Sequence, residues 1–120
     1  MATKDFNSAT LTSKLTFLEL TTTSDTTLYT VGTGKTFKVS TLTLCNRHTS
    51  AVTVQVHVVP SGATLAARHK IVTGLVVNAG ETLSLNALVA AMMLGEGDFI
   101  SINSSVANVL SVHLSGVEGV

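Results

Sequence analysis

The chain has 120 residues, 45% of them hydrophobic and only 12% charged, and its seven basic and seven acidic residues cancel to a formal net charge of zero. That length fits one domain around one core. A basic nucleic-acid binder is excluded, because Lys4, Lys14, Lys35, Lys38, Arg47, Arg68 and Lys70 are scattered rather than gathered on one stretch. Nothing suggests a membrane-spanning helix: the longest apolar run, residues 87–94, falls far short of the roughly 18 residues such a helix needs.

Residues 1–13 are polar and weakly patterned. They lack the apolar centre of a signal peptide and read as an N-terminal arm outside the core. Residues 14–120 read as the folded domain. Strand signals then recur at short spacing. Residues 15–20 (LTFLEL) and 27–31 (TLYTV) come first. Residues 37–45 follow, with Phe37 and Val39 on one parity and Leu42 and Leu44 on the other. Either both faces are covered there, or a bulge lies near Ser40 and Thr41. In residues 51–59, Val52, Val54, Val56 and Val58 alternate with Thr53, Gln55 and His57, a period of two with one apolar and one polar face. Pro60-Ser61-Gly62 supplies turn chemistry, and residues 63–70 form a loop or a short helical turn.

Residues 71–77 form the next strand, Asn78 to Glu81 a turn, and residues 82–86 another strand carrying Leu83 and Leu85. Residues 87–94 suit a short helix, a loop or an irregular strand. Gly95 to Asp98 breaks them. Residues 99–103 place Ile100 and Ile102 on one face, and residues 109–115 place Leu110, Val112 and Leu114 on one face. About eight short strands with turns between them predict an antiparallel β-sandwich, jelly-roll or immunoglobulin-like. No amphipathic helical repeat of ten or more residues interrupts them, which argues against an α/β crossover fold.

Candidate chemistry does not assemble along the chain. Gly32-Thr33-Gly34-Lys35-Thr36 ends like a phosphate-binding loop, but Tyr29 stands where the motif needs its first glycine, and a strand pattern follows where a helix is required. It reads as a hairpin turn. His48, His57, His69 and His113 match no zinc spacing. His57 and His113 fall on the polar parity of their strands and are expected to face solvent or a partner. Glu96 and Asp98 read as turn residues, with too few oxygens near them for calcium. Cys45 is the only cysteine. It excludes a disulfide within the chain and reads as a small apolar strand residue. No catalytic, cofactor-binding or metal-ligating residue is assigned. With no Trp, one Tyr and four Phe, the stacking platforms of a carbohydrate site are scarce.

One order of segments carries a resemblance. Tyr29-Thr-Val-Gly-Thr-Gly-Lys35 runs into Phe37-Lys-Val-Ser-Thr-Leu-Thr-Leu-Cys-Asn46. The Val-alternating strand and Val59-Pro60-Ser61-Gly62 follow. Ala79-Gly80-Glu81-Thr82-Leu83, Gly97-Asp98-Phe99-Ile100-Ser101 and Val112-His-Leu-Ser-Gly-Val-Glu118 close it. From Tyr29 to Glu118 this resembles the small β-sandwich virion structural proteins of tailed bacteriophages. The resemblance implies a non-enzymatic virion protein made in the host cytoplasm. It implies a decoration or cement role that bridges capsid subunits, with a tail, collar or fibre component of receptor- or carbohydrate-binding role as the alternative. The implied partners are the major capsid protein or other virion proteins and further copies of the chain, a homotrimer favoured. Neither nucleic acid, membrane nor cofactor is among them.

Overall fold

The computed structural model describes residues 10–89 and 92–120. Nine strands form among the described residues: β1 (Leu11–Glu19), β2 (Thr26–Thr30), β3 (Thr36–Asn46), β4 (Val52–Val59), β5 (Lys70–Val77), β6 (Thr82–Ser84), β7 (Met93–Leu94), β8 (Phe99–Ser104) and β9 (Leu110–Gly119). A 3-10 turn, Ala67–His69, precedes β5, and a short helical turn, α1 (Asn86–Val89), follows β6. The expected β-sandwich is therefore present. The first sheet runs β1-β9-β3-β6, with β7 also pairing β3; the second runs β2-β8-β4-β5. Every pairing is antiparallel.

Alternation along the strands builds the core between the sheets. Leu110, Val112 and Leu114 of β9 face Val54, Val56, Ile100 and Ile102 from the second sheet, and all are buried. The parity conflict in β3 resolves as a bulge: the β3–β9 register shifts between Val39 and Thr41. Phe37, Val39, Leu42 and Leu44 are all fully buried in the one core. One extra residue turns the second apolar pair back to the same face as the first. Gly116 sits opposite Val39 beside this bulge. A Cβ there would lie 2.2 Å from the Lys38 carbonyl oxygen and 2.7 Å from the Phe37 ring, so no side chain fits.

Asn46 joins the two sheets at one end. It is wholly buried, and its side-chain amide donates to the carbonyl oxygens of Ser50, Val77 and Asn78 while its Oδ1 accepts from the His48 amide. A buried amide satisfied on both sides fixes how the β3 end meets the β5 end.

Some boundaries differ from those the sequence suggests. β1 begins at Leu11, inside the stretch read as an arm; Thr10 precedes it, and residues 1–9 lie outside the described residues. The ambiguous residues 87–94 divide between α1 and β7, with residues 90–91 outside the described set. His57 requires a correction. It is 2% exposed rather than solvent-facing. Alternation in β4 does place it on the outer face, but that face is covered at this end: the 3-10 turn before β5 packs against β4, and Val59, on the same parity, is fully buried too.

Candidate docking surface

The strand β1 is the least covered element of the sandwich. Among the described residues it forms one edge of the first sheet and pairs only with β9, from Leu11 opposite Gly119 to Glu19 opposite Ser111. Its outward side chains are Leu11, Ser13, Leu15, Phe17 and Glu19, in line with Val117, Ser115, His113 and Ser111 of β9. Leu15 is 69% exposed, Phe17 57% and Leu11 49%. Thr12 and Lys14, on the inward parity, are exposed as well. The N-terminal half of β1 thus shows solvent both faces and an edge that no other described strand pairs. Large apolar side chains in a contiguous row on such an edge mark an interaction site more than a free surface does.

Beside this row the bulge leaves a depression. An open groove of about 470 Å³ is lined by Ser13, Leu15, Ser40, Ser115 and Val117 together with Lys14 and Gly116. Hydroxyls dominate the neighbouring face, where Thr41 and Ser115 share a 2.6 Å hydrogen bond. The exposed Phe17 ring lies against His113, with centroids 4.9 Å apart.

Two polar clusters hold β1 in place. At its C-terminal end, Arg47 of the β3–β4 turn pairs with Glu19 and donates from Nε to Ser111 Oγ at 3.0 Å. At the other end, Glu118 of β9 is 8% exposed and lies between the sheets. Tyr29 donates its hydroxyl to Glu118 at 2.7 Å, Lys35 Nζ stands 3.2 Å from the same carboxylate, and the Tyr29 ring packs on Phe37. Lys14 reaches over this cluster, 6.0 Å from the Tyr29 ring centroid. The Tyr29 hydrogen bond, then the ammonium of Lys35 and the charge of Lys14, hold Glu118 below the ordinary carboxylate value, against the upward pull of its burial. Burial, and next the Glu118 carboxylate, push the Tyr29 hydroxyl well above the ordinary phenol range.

The residues singled out in the sequence fall in separate places. Lys35 closes a tight turn, its amide donating to Gly32 at 3.2 Å, and its ammonium pairs with Glu118. Glu96 Oε1 accepts from the Gly34 amide, and Asp98 accepts from the amides of Ser61 and Gly95. These carboxylates brace loops. His113 is exposed on the first sheet, while His57 belongs to the second, so the two do not meet. His57 Nδ1 stands 3.8 Å from Asp25 Oδ1 and has no hydrogen-bond partner among the described residues. Cys45 is half-buried in β3. Among the described residues no three of His, Cys, Asp and Glu group as metal ligands.

Glu118 and the apolar row of β1 were missed from sequence, although both left signals. Glu118 continues the parity of Leu110, Val112 and Leu114, which points it inward. Leu11, Leu15 and Phe17 share one parity, and nothing opposite them in the sequence says that the face goes uncovered.

No protein-family model matches the chain, and no curated protein matches it. Among solved structures, it is similar to a chain in the acidic stable capsid structure of Helicobacter pylori bacteriophage KHP30. The match has 14% identity and a TM-score of 0.47, and covers 90% of this chain and 87% of that one. It stands as a likeness alone.

Proposed function

We propose that the protein is a structural component of a bacteriophage virion, a decoration or cement protein that docks on the shell through β1 and the adjoining face of β9. The observation that supports this most is the row Leu11, Leu15 and Phe17 on an open sheet edge. An edge strand adds a partner strand through main-chain hydrogen bonds, and its exposed apolar side chains add area that water leaves on contact. The resemblance of residues 29–118 to phage β-sandwich virion proteins supplies the setting. A protein that binds only the assembled shell stabilises it by mass action. The proposal includes a homotrimeric state and contacts with the major capsid protein.

The test is attachment of Leu15→Asp to purified capsids. Its fold is expected to be unchanged by far-ultraviolet circular dichroism, while co-sedimentation with shells is lost. Wild-type attachment of this variant would overturn the docking role of β1.

A tail, collar or fibre position with carbohydrate binding is a second reading. The exposed Phe17 ring against His113, beside hydroxyl-bearing strands, favours it. Saturable binding on a glycan array, abolished by Phe17→Ala, supports that reading; an empty array removes it.

A further inference from the structure

A buried polar atom of the second sheet lacks a partner. His57 is 2% exposed, and its Nδ1 is buried without a hydrogen-bond partner among the described residues. Either neutral form of the ring leaves a loss there. As a bare acceptor the nitrogen has given up water for nothing, and as a donor it has no oxygen within hydrogen-bond reach.

What faces it is a carboxylate. Asp25 Oδ1, just ahead of β2, stands 3.8 Å from His57 Nδ1, too far for a hydrogen bond and near enough for an ion pair. The same oxygen accepts from the Asn103 side-chain amide at 2.5 Å and keeps a lone pair to spare. The Asp25 side chain is 40% exposed, so it has room to close the gap. Asp25 ends an exposed connection, residues 21–25. The bonds inside that connection are local, from the Ser24 amide to Thr22 Oγ1 and from the Thr26 hydroxyl to the Ser24 carbonyl. Asp25 is the residue that reaches across to the second sheet.

The other charges around His57 are few. β4 carries no further titratable residue, and β8 presents the uncharged Ser101 and Asn103. Lys70 of β5 stands opposite His57 in the sheet register, partly exposed on a long stem that can turn to water. In the 3-10 turn, Arg68 is exposed, and His69 Nδ1 already accepts from the Ala66 amide. Asp98, past the end of β4, is engaged by the amides of Ser61 and Gly95. Among the described residues, Asp25 is the acid within ion-pair distance of His57.

We propose that His57 and Asp25 form a proton-operated clasp: a proton taken up from solvent at Nδ1 turns the open contact into a charged hydrogen bond that fastens residues 21–25 to β4. Burial of the ring and the ammonium of Lys70 oppose the charge. A carboxylate drawn into hydrogen-bond reach answers both, since such charge-assisted bonds are about twice as strong as neutral ones. The connection therefore tightens as pH falls and loosens as pH rises. β1 leads directly into it, so the clasp sets the hold on the C-terminal end of that strand, whatever β1 binds.

Amide exchange of residues 21–26 tests this, measured on the full chain at about pH 5.5 and about pH 7.5, on either side of the ordinary histidine range, and corrected for the intrinsic effect of pH. Exchange in the connection is expected to be about threefold slower at the lower pH, the size a half-exposed ion pair supports. Ordinary carboxylates stay ionised at both. Asp25→Asn keeps an oxygen for Asn103 and removes the charge; at its exposed position it should fold as wild type does and lose the pH response. His57→Gln should lose it too, and if that buried change unfolds the chain, Asp25→Asn decides alone. His48, His69 and His113 are intact in Asp25→Asn, so a response that persists there belongs to them and overturns the clasp. Equal exchange of wild type at the two pH values overturns it as well. So does faster exchange at the lower pH, which would mean that charging His57 opens the contact.

Discussion

β1 and β9 are neighbours in perfect antiparallel register, and both alternate apolar with polar residues, yet they live in different surroundings. Leu110, Val112 and Leu114 of β9 are buried, while Leu11, Leu15 and Phe17 of β1 are each about half exposed or more. The apolar parity of β9 points toward the second sheet. That of β1 points away from it, leaving Thr12, Lys14, Thr16 and Leu18 on the inner side. A strand whose apolar side faces out of its own sandwich carries hydrophobic surface that the domain does not use. Period two alone shows that one face is apolar; the pairing register decides whether that face enters the core.

Replacing the same residue type in each strand should sharpen that contrast most. Leu114→Ala is expected to cost about 3 kcal/mol, from lost burial plus a cavity. Leu15→Ala should change stability by no more than about 0.5 kcal/mol, as exposed positions usually do. Urea denaturation of the two variants checks this, and equal losses would break the contrast. Gly116→Ala should cost about 2 kcal/mol, because its Cβ would strike the Lys38 carbonyl and the Phe37 ring. The matching change on β1, Ser13→Ala, should be nearly silent in the same assay.

The Glu118 cluster adds a pH dependence to the β9 side. Its carboxylate is held below the ordinary value of 4.5, so the folded state binds that proton less tightly than the unfolded chain does. The stability it contributes is present above about pH 4.5 and is lost as pH falls through the lower folded value. Thermal melts of wild type are expected to drop on acidification, and those of Glu118→Gln to drop less; parallel curves would remove this role. The smallest effect is expected at the other anchor. Arg47→Ala should cost about 1 kcal/mol or less, since its pair with Glu19 is exposed. Its mark should be faster amide exchange at the C-terminal end of β1, with β9 unchanged.

Much of this architecture is legible in the sequence. The Val alternation of β4, the turn at Pro60-Ser61-Gly62 and the parity break at Ser40 and Thr41 each report local backbone geometry, and a two-layer sandwich follows from repeating them. What stays hidden depends on contacts between distant segments. His57 reads as solvent-facing because its strand alternates, whereas in the fold it is buried, with the segment before β5 packed against its strand and Asp25 beside its ring. Tyr29 and Glu118 meet across 89 positions of chain, which no local pattern encodes. The strip is half visible: the parity of Leu11, Leu15 and Phe17 is in the sequence, but their exposure is a property of the packed molecule.

Amide hydrogen exchange across β1, measured on the isolated protein and again on intact particles, probes the docking edge most directly. In isolation, the β1 amides aimed at the open edge should exchange without protection while those of β9 exchange slowly, and on particles the β1 amides should become protected. Identical β1 exchange in the two states would contradict a partner strand at that edge.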